Sequence, residues 1–174
     1  QAGKYFNIET FTKKIFDEVE FLIPVQDPPE IHIAFLQNME LLLENTDPSI
    51  HEQKVLPIFS SALKSEKEVV LKEAIKRLKN NSLISKISKN GIQKSILPLL
   101  LKVCANQTFT ASLVSSSFEC VKICLQQVDH DLFLKYLMPK IYDVWIQRQD
   151  PLIVPSLSDL IMALKGTETP TMEF

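Results

Sequence analysis

A chain of 174 residues, 45% hydrophobic, can bury roughly 70% of the surface its unfolded form exposes, enough for one sizeable core or a short stack of helices. Three glycines are too few to favour a phosphate-cradling loop, and a formal charge of −2 lacks the basic excess of nucleic-acid binders, so no nucleic acid is expected as a partner. No apolar run reaches the roughly 18–20 residues that span a bilayer, and no secretory leader opens the chain, so a cytoplasmic location is expected. The missing initiator Met is read as that of a piece of a longer protein.

In chain order, Ile8, Phe11, Ile15, Val19 and Leu22 recur at three- and four-residue steps and predict a helix over about Phe6–Ile23, which Pro24 ends. Asp27 is expected to cap the next helix, whose first turn tolerates Pro28 and Pro29. That helix, Ile31–Leu43, is apolar almost all round, interrupted by His32, Gln37, Asn38 and Glu40, as suits a helix sandwiched between neighbours. Asp47 and Pro48 repeat the same grammar and open a helix that contains Pro57. A helix over Glu68–Lys79 should bury Val69, Leu71, Ala74, Ile75 and Leu78; Leu83, Ile84 and Ile87 add a short turn before the breaker Asn90-Gly91. Helices over Ile92–Cys104 and Thr110–Gln127 flank the polar turn Ala105–Thr108. Asp129-His130-Asp131 starts a further helix, Gln149-Asp150-Pro151 makes a turn, and the last helix spans Leu152–Leu164 with Gly166 just past its end.

A longer rhythm runs through these elements. Val55-Leu56-Pro57-Ile58-Phe59, Ile96-Leu97-Pro98-Leu99-Leu100 and Leu137-Met138-Pro139-Lys140-Ile141 place their prolines 41 residues apart, and Gln26-Asp27-Pro28 returns three periods later as Gln149-Asp150-Pro151. Helical periods of about 40–47 residues mark HEAT or armadillo arrays, whose helix pairs bury their apolar faces by stacking on neighbours. The expected fold is therefore all-α, a HEAT-type helical-repeat solenoid of about four helix pairs. Its array covers residues 1–166, with repeats over 6–45, 47–88, 90–128 and 130–165, and residues 167–174 form a loose tail. The three prolines are expected as mid-helix kinks in the first helix of successive repeats.

Chemistry is harder to find. Cys104, Cys120 and Cys124, an odd number inside apolar faces, read as packing residues of a reducing compartment. His51-Glu52 lacks the second His of a zinc-protease pattern because Val55 stands there, and His32, His51 and His130 read as surface or turn histidines. Both Asn-x-Ser/Thr triplets, at Asn80 and Asn106, read as chance matches. No catalytic, cofactor or metal residue is assigned, and an enzyme is not expected. The charge distribution is more informative: residues 1–53 hold ten acids against three lysines, whereas 64–94 hold nine basic residues against three acids. Lys72, Lys76 and Lys79 follow i, i+4, i+7 spacing and form one stripe, which Glu40, Glu44, Glu119 and Lys122 are expected to flank on the concave side. Such a stripe fits an acidic partner segment or anionic headgroups, with an ordinary solvated face as the plain alternative.

Gln26-Asp27-Pro28, the run Gln37-Asn38-Met39-Glu40-Leu41-Leu42-Leu43, then Val55-Leu56-Pro57 and Ala62-Leu63 resemble the HEAT region of the Scyl family of catalytically poor, kinase-like trafficking proteins. The resemblance covers roughly residues 15–145 and is sharpest over the first 45 of those. It implies a kinase-like domain ahead of this region, further repeats, and a tail with adaptor- and clathrin-binding motifs. It also implies a non-enzymatic pseudokinase-family scaffold in clathrin-dependent vesicle trafficking, peripheral on Golgi, endosomal or clathrin-coated membranes. No kinase motif has a counterpart here, and Lys72-Glu73-Ala74-Ile75-Lys76-Arg77 is more basic than the family pattern. Two alternatives stand beside it: another HEAT class, either tubulin-binding, whose usual basic and aromatic turn residues are missing at Gln26–Pro29 and Ala105–Thr108, or nuclear-transport, and a structural spacer between domains.

Overall fold

A computed structural model describes residues 20–25, 27–44, 48–128, 135, 138–148 and 150–165. Every regular element among them is helical. Two compact units divide the chain, Gln1–Leu99 and Leu100–Phe174. The helix predicted over Phe6–Ile23, the capping Asp47, the start at Asp129–Asp131, Gly166 and the tail lie almost wholly outside the described residues.

In the first unit, α1 (Glu30–Gln37) and α2 (Met39–Glu44) take the place of the single helix expected over Ile31–Leu43. The break falls at Asn38, whose side-chain Nδ2 donates to the Ala34 carbonyl at 2.8 Å alongside its own backbone amide at 3.1 Å. Asp27 does not cap α1: Pro29 occupies the cap position without a side-chain bond, and Asp27 instead lies 3.8 Å from the Lys67 ammonium. α3 (His51–Ala62) follows a 3₁₀ turn over Pro48–Ile50, and α4 (Glu68–Leu78) ends within a residue of its predicted limit. The buried face of α4 is Val70, Leu71, Ala74, Ile75 and Leu78; Val69, expected inside, is exposed because the apolar stripe starts one residue later.

The short α5 (Asn81–Ile84) supplies the expected extra turn, with Leu83, Ile84 and Ile87 all buried. Asn90-Gly91 does not break the chain. These residues belong to α6 (Lys89–Gly91), which Ser88 caps by accepting the Gly91 amide at 3.0 Å, and which runs through a π-helical segment, Ile92–Ile96, into α7 (Leu97–Ala105). Gly91 leaves room for a close neighbour: a Cβ there would lie 2.5 Å from Glu52 Oε1 and 3.0 Å from Ile87 Cγ2, so the Glu52 side chain would have to shift.

The second unit holds the rest of α7, then α8 (Ala111–Leu125), α9 (Met138–Arg148) and α10 (Val154–Lys165). Asp150 shapes the turn before α10: its carboxylate accepts the Leu152 amide and its carbonyl the Ile153 amide, each at 3.0 Å. Cys104, Cys120 and Cys124 are fully buried free thiols in α7 and α8, packed as small apolar residues.

Pro57 and Pro98 both lie inside continuous helical backbone. Pro57 is the interior proline of α3. Pro98 is the second residue of α7 and follows the π segment, where the Leu97 amide reaches back five residues to the Ile92 carbonyl. The wider turn accommodates a ring that would otherwise meet an α-helical carbonyl. Pro139 lies in α9, and the residues just ahead of Met138 fall outside the described ones, as does the expected kink there.

Within each unit the packing follows the period. α1 packs on α4 and α3 packs on the Ile92–Ile96 segment in the first unit; α8 packs on α10 in the second. Leu36, Phe59, Val70 and Leu71 are fully buried in the first core, as are Val114, Phe118 and Val121 in the second. Truncating a buried aromatic such as Phe59 or Phe118 to Ala would cost about 3–5 kcal/mol.

Candidate partner-binding surface

α4 presents its polar side outward, and there Lys72 and Lys76 are exposed while Lys79 is half-buried at the helix end. The stripe is not a row of free cations. Lys72 pairs with Glu68 at 3.0 Å, one turn back; Glu73 approaches Lys76 at 4.0 Å and takes the Arg77 guanidinium at 2.8 Å. Lys79 is engaged as well. These are helix-surface pairs worth a few tenths of a kcal/mol each, and they offset part of the stripe's charge. The i, i+4 spacing of Glu68 to Lys72 and of Glu73 to Arg77 was the sequence signal for it.

Glu40 is brought to the end of this helix, where its Oε1 accepts a hydrogen bond from Asn80 Nδ2. Glu44 is exposed at the end of α2. Glu119 and Lys122 are both exposed on α8 in the second unit.

The remaining cations of the basic stretch lie beyond α4. Lys86, Lys89 and Lys94 are all exposed, in the turn before α6, in α6 and in the π segment. Glu52 reaches this region from α3, but its Oε1 accepts the Ser88 hydroxyl at 2.6 Å. The spacing of Lys86, Lys89 and Lys94 fits no single α-helical face, so helical periodicity does not single them out.

A cleft of about 480 Å³ opens elsewhere in the first unit, lined by Glu20, Ile23, Pro24, Pro57, Ser60, Ser61 and Lys64. Glu20 at its edge is held by Lys54 at 2.7 Å. Beneath it His32 is fully buried, not at the surface as expected, and bonds to Ser61; His51 is buried too, while His130 lies outside the described residues. A histidine at an apolar position of α1 finds its partner 29 residues away, which local pattern cannot reveal.

Burial pushes the Cys104 thiol well up, and a hydrogen bond with Cys120 together with burial does the same for Cys124. Such thiols are poor nucleophiles and poor ligands. Among the described residues no group of three or more His, Cys, Asp or Glu is arranged to hold a metal ion, and no helix is long and apolar enough to cross a membrane. Neither a protein-family model nor a curated protein matches this sequence.

Proposed function

We propose that this chain is a non-enzymatic scaffold of the HEAT type that holds protein partners on its outward helix faces. The observation that carries the reading is the agreement between the 41-residue period and the packing: α1 on α4, α3 on Ile92–Ile96, and α8 on α10 join helices about one period apart. Helix pairs that bury their apolar faces against the next pair leave a long row of polar faces, a geometry suited to extended protein contacts and not to a closed catalytic pocket. The Scyl-like run around Gln37–Leu43 supports a role in clathrin-dependent trafficking, in a cytoplasmic protein peripheral on coated membranes, with adaptor or clathrin machinery engaged through the longer chain.

Quantitative affinity capture from cytosol, read by mass spectrometry, tests this. Enrichment of coat and adaptor proteins, or of proteins bound to them, is the expected outcome. Enrichment of tubulin or of nuclear-transport carriers would move the chain to another HEAT class, and no protein above background would contradict a scaffold role.

A further inference from the structure

We propose that the segment Ser85–Lys94 docks an acidic polypeptide segment through its exposed Lys86, Lys89 and Lys94, a surface that deepens the scaffold reading and rests on it. From Ala74 to Phe118 the sequence contains no Asp or Glu. Lys72, Lys76 and Arg77 of α4 each have Glu68 or Glu73 within reach in their own helix, and Lys67 lies near Asp27. Lys86, Lys89 and Lys94 have no such carboxylate, and among the described residues none of the three makes an ion pair or hydrogen bond. Glu52, the acid that reaches this segment, lies beside Gly91 and accepts the Ser88 hydroxyl, not a lysine.

The three lysines fall within nine residues of one another on successive turns of backbone, Lys94 in the π-helical segment. Asn90, exposed between them, adds an amide that both donates and accepts. Three cations with a free amide suit the spaced carboxylates and backbone of an extended acidic peptide. They suit a membrane less well: recognition of anionic lipid takes about four to eight clustered cations, and no large exposed hydrophobic residue lies in this segment to insert.

Fluorescence anisotropy with a fluorescein-labelled, Glu/Asp-rich peptide as the probe tests the surface. The unmodified chain should bind it and weaken as salt rises. Lys86→Glu/Lys89→Glu/Lys94→Glu should lose at least about tenfold in affinity, whereas Lys72→Glu/Lys76→Glu/Lys79→Glu should stay within about threefold. Circular-dichroism melts show that both variants fold. Equal loss in the two variants, no loss in the first, or no peptide binding while phosphatidylserine vesicles sediment the chain would each overturn the proposal. The probe needs no cellular partner, so its failure leaves the scaffold reading standing; failed affinity capture with intact peptide binding strikes that reading alone.

Discussion

His32 Nε2 lies 2.9 Å from the Ser61 hydroxyl, and that hydroxyl donates onward to the Ile23 carbonyl at 2.8 Å. A carbonyl only accepts, so the serine hydrogen points at Ile23 and the ring must donate to the serine from Nε2. Nδ1 is then a bare, buried nitrogen without a hydrogen-bond partner. Protonation would place a charge where nothing receives it, and burial holds His32 below its ordinary value of 6.5, with the Ile23 carbonyl offsetting part of the effect.

The pH dependence follows. The unfolded chain takes up the His32 proton below about pH 6.5, while the folded chain stays neutral to lower pH. Stability from this group is therefore full above pH 6.5 and is lost as pH falls through that value. Urea melts of the unmodified chain should weaken across this window relative to His32→Gln, which cannot titrate. The variant itself should cost about 1–3 kcal/mol at neutral pH. Parallel pH profiles for the two proteins would remove His32 as the cause.

Arg148 fastens the second unit. Its guanidinium donates to the carbonyls of Cys104, Asn106 and Phe109, at 3.3, 2.5 and 2.6 Å, and so ties the end of α7 and the following turn to α9. Cations at a helix C-terminus satisfy orphan carbonyls and complement the helix dipole. Arg148→Ala should destabilise by about 2–3 kcal/mol. Arg148→Lys should recover little, because an ammonium lacks the planar fork. Chemical denaturation distinguishes full, partial and absent rescue.

Pro57 is exposed in the interior of α3, where it withholds one backbone donor. Replacing it with Ala restores the donor without opening the core and should stabilise by about 1 kcal/mol or more. Pro98, already accommodated by the π segment, should gain less from the same change. A fall in melting temperature for Pro57→Ala would show that α3 needs its proline.

The three thiols should resist modification. Cys104, Cys120 and Cys124 are fully buried, and the raised values of Cys104 and Cys124 leave almost no thiolate at neutral pH. A disulfide reagent such as DTNB should release no colour from the native chain and the full yield in denaturant. Rapid labelling of one thiol without denaturant would show that α7 and α8 open locally.

Helix positions were legible because they rest on local rules. The 3.6-residue stripe on α4, the turn chemistry at Asp150 and the apolar setting of the three cysteines all follow from near neighbours in sequence. What local reading missed was decided by distant or competing groups. His32 is buried through Ser61 and Ile23; the helix expected over Ile31–Leu43 divides at Asn38, whose side chain and amide share the Ala34 carbonyl; Asn90-Gly91 stays helical because Ser88 caps it, with Glu52 beside the glycine. The charged surface shows the same division. Lys72, Lys76 and Lys79 stood out by spacing, yet Glu68 and Glu73 in the same helix answer Lys72 and Lys76 and Lys79 is engaged as well, while the acid-free stretch after Glu73 pointed further along the chain.

The account stands on helices one period apart lying side by side, and one cross-link reads that directly. Ser115 of α8 and Ser156 of α10, 41 residues apart, meet through their hydroxyls. Mild oxidation of Ser115→Cys/Ser156→Cys should form an intramolecular disulfide in the native chain, seen by mass spectrometry, with no counterpart when the exposed Ser112 is paired with Ser156 instead. Equal cross-linking of both pairs, or formation only after denaturation, would contradict the one-period stacking on which the scaffold reading depends.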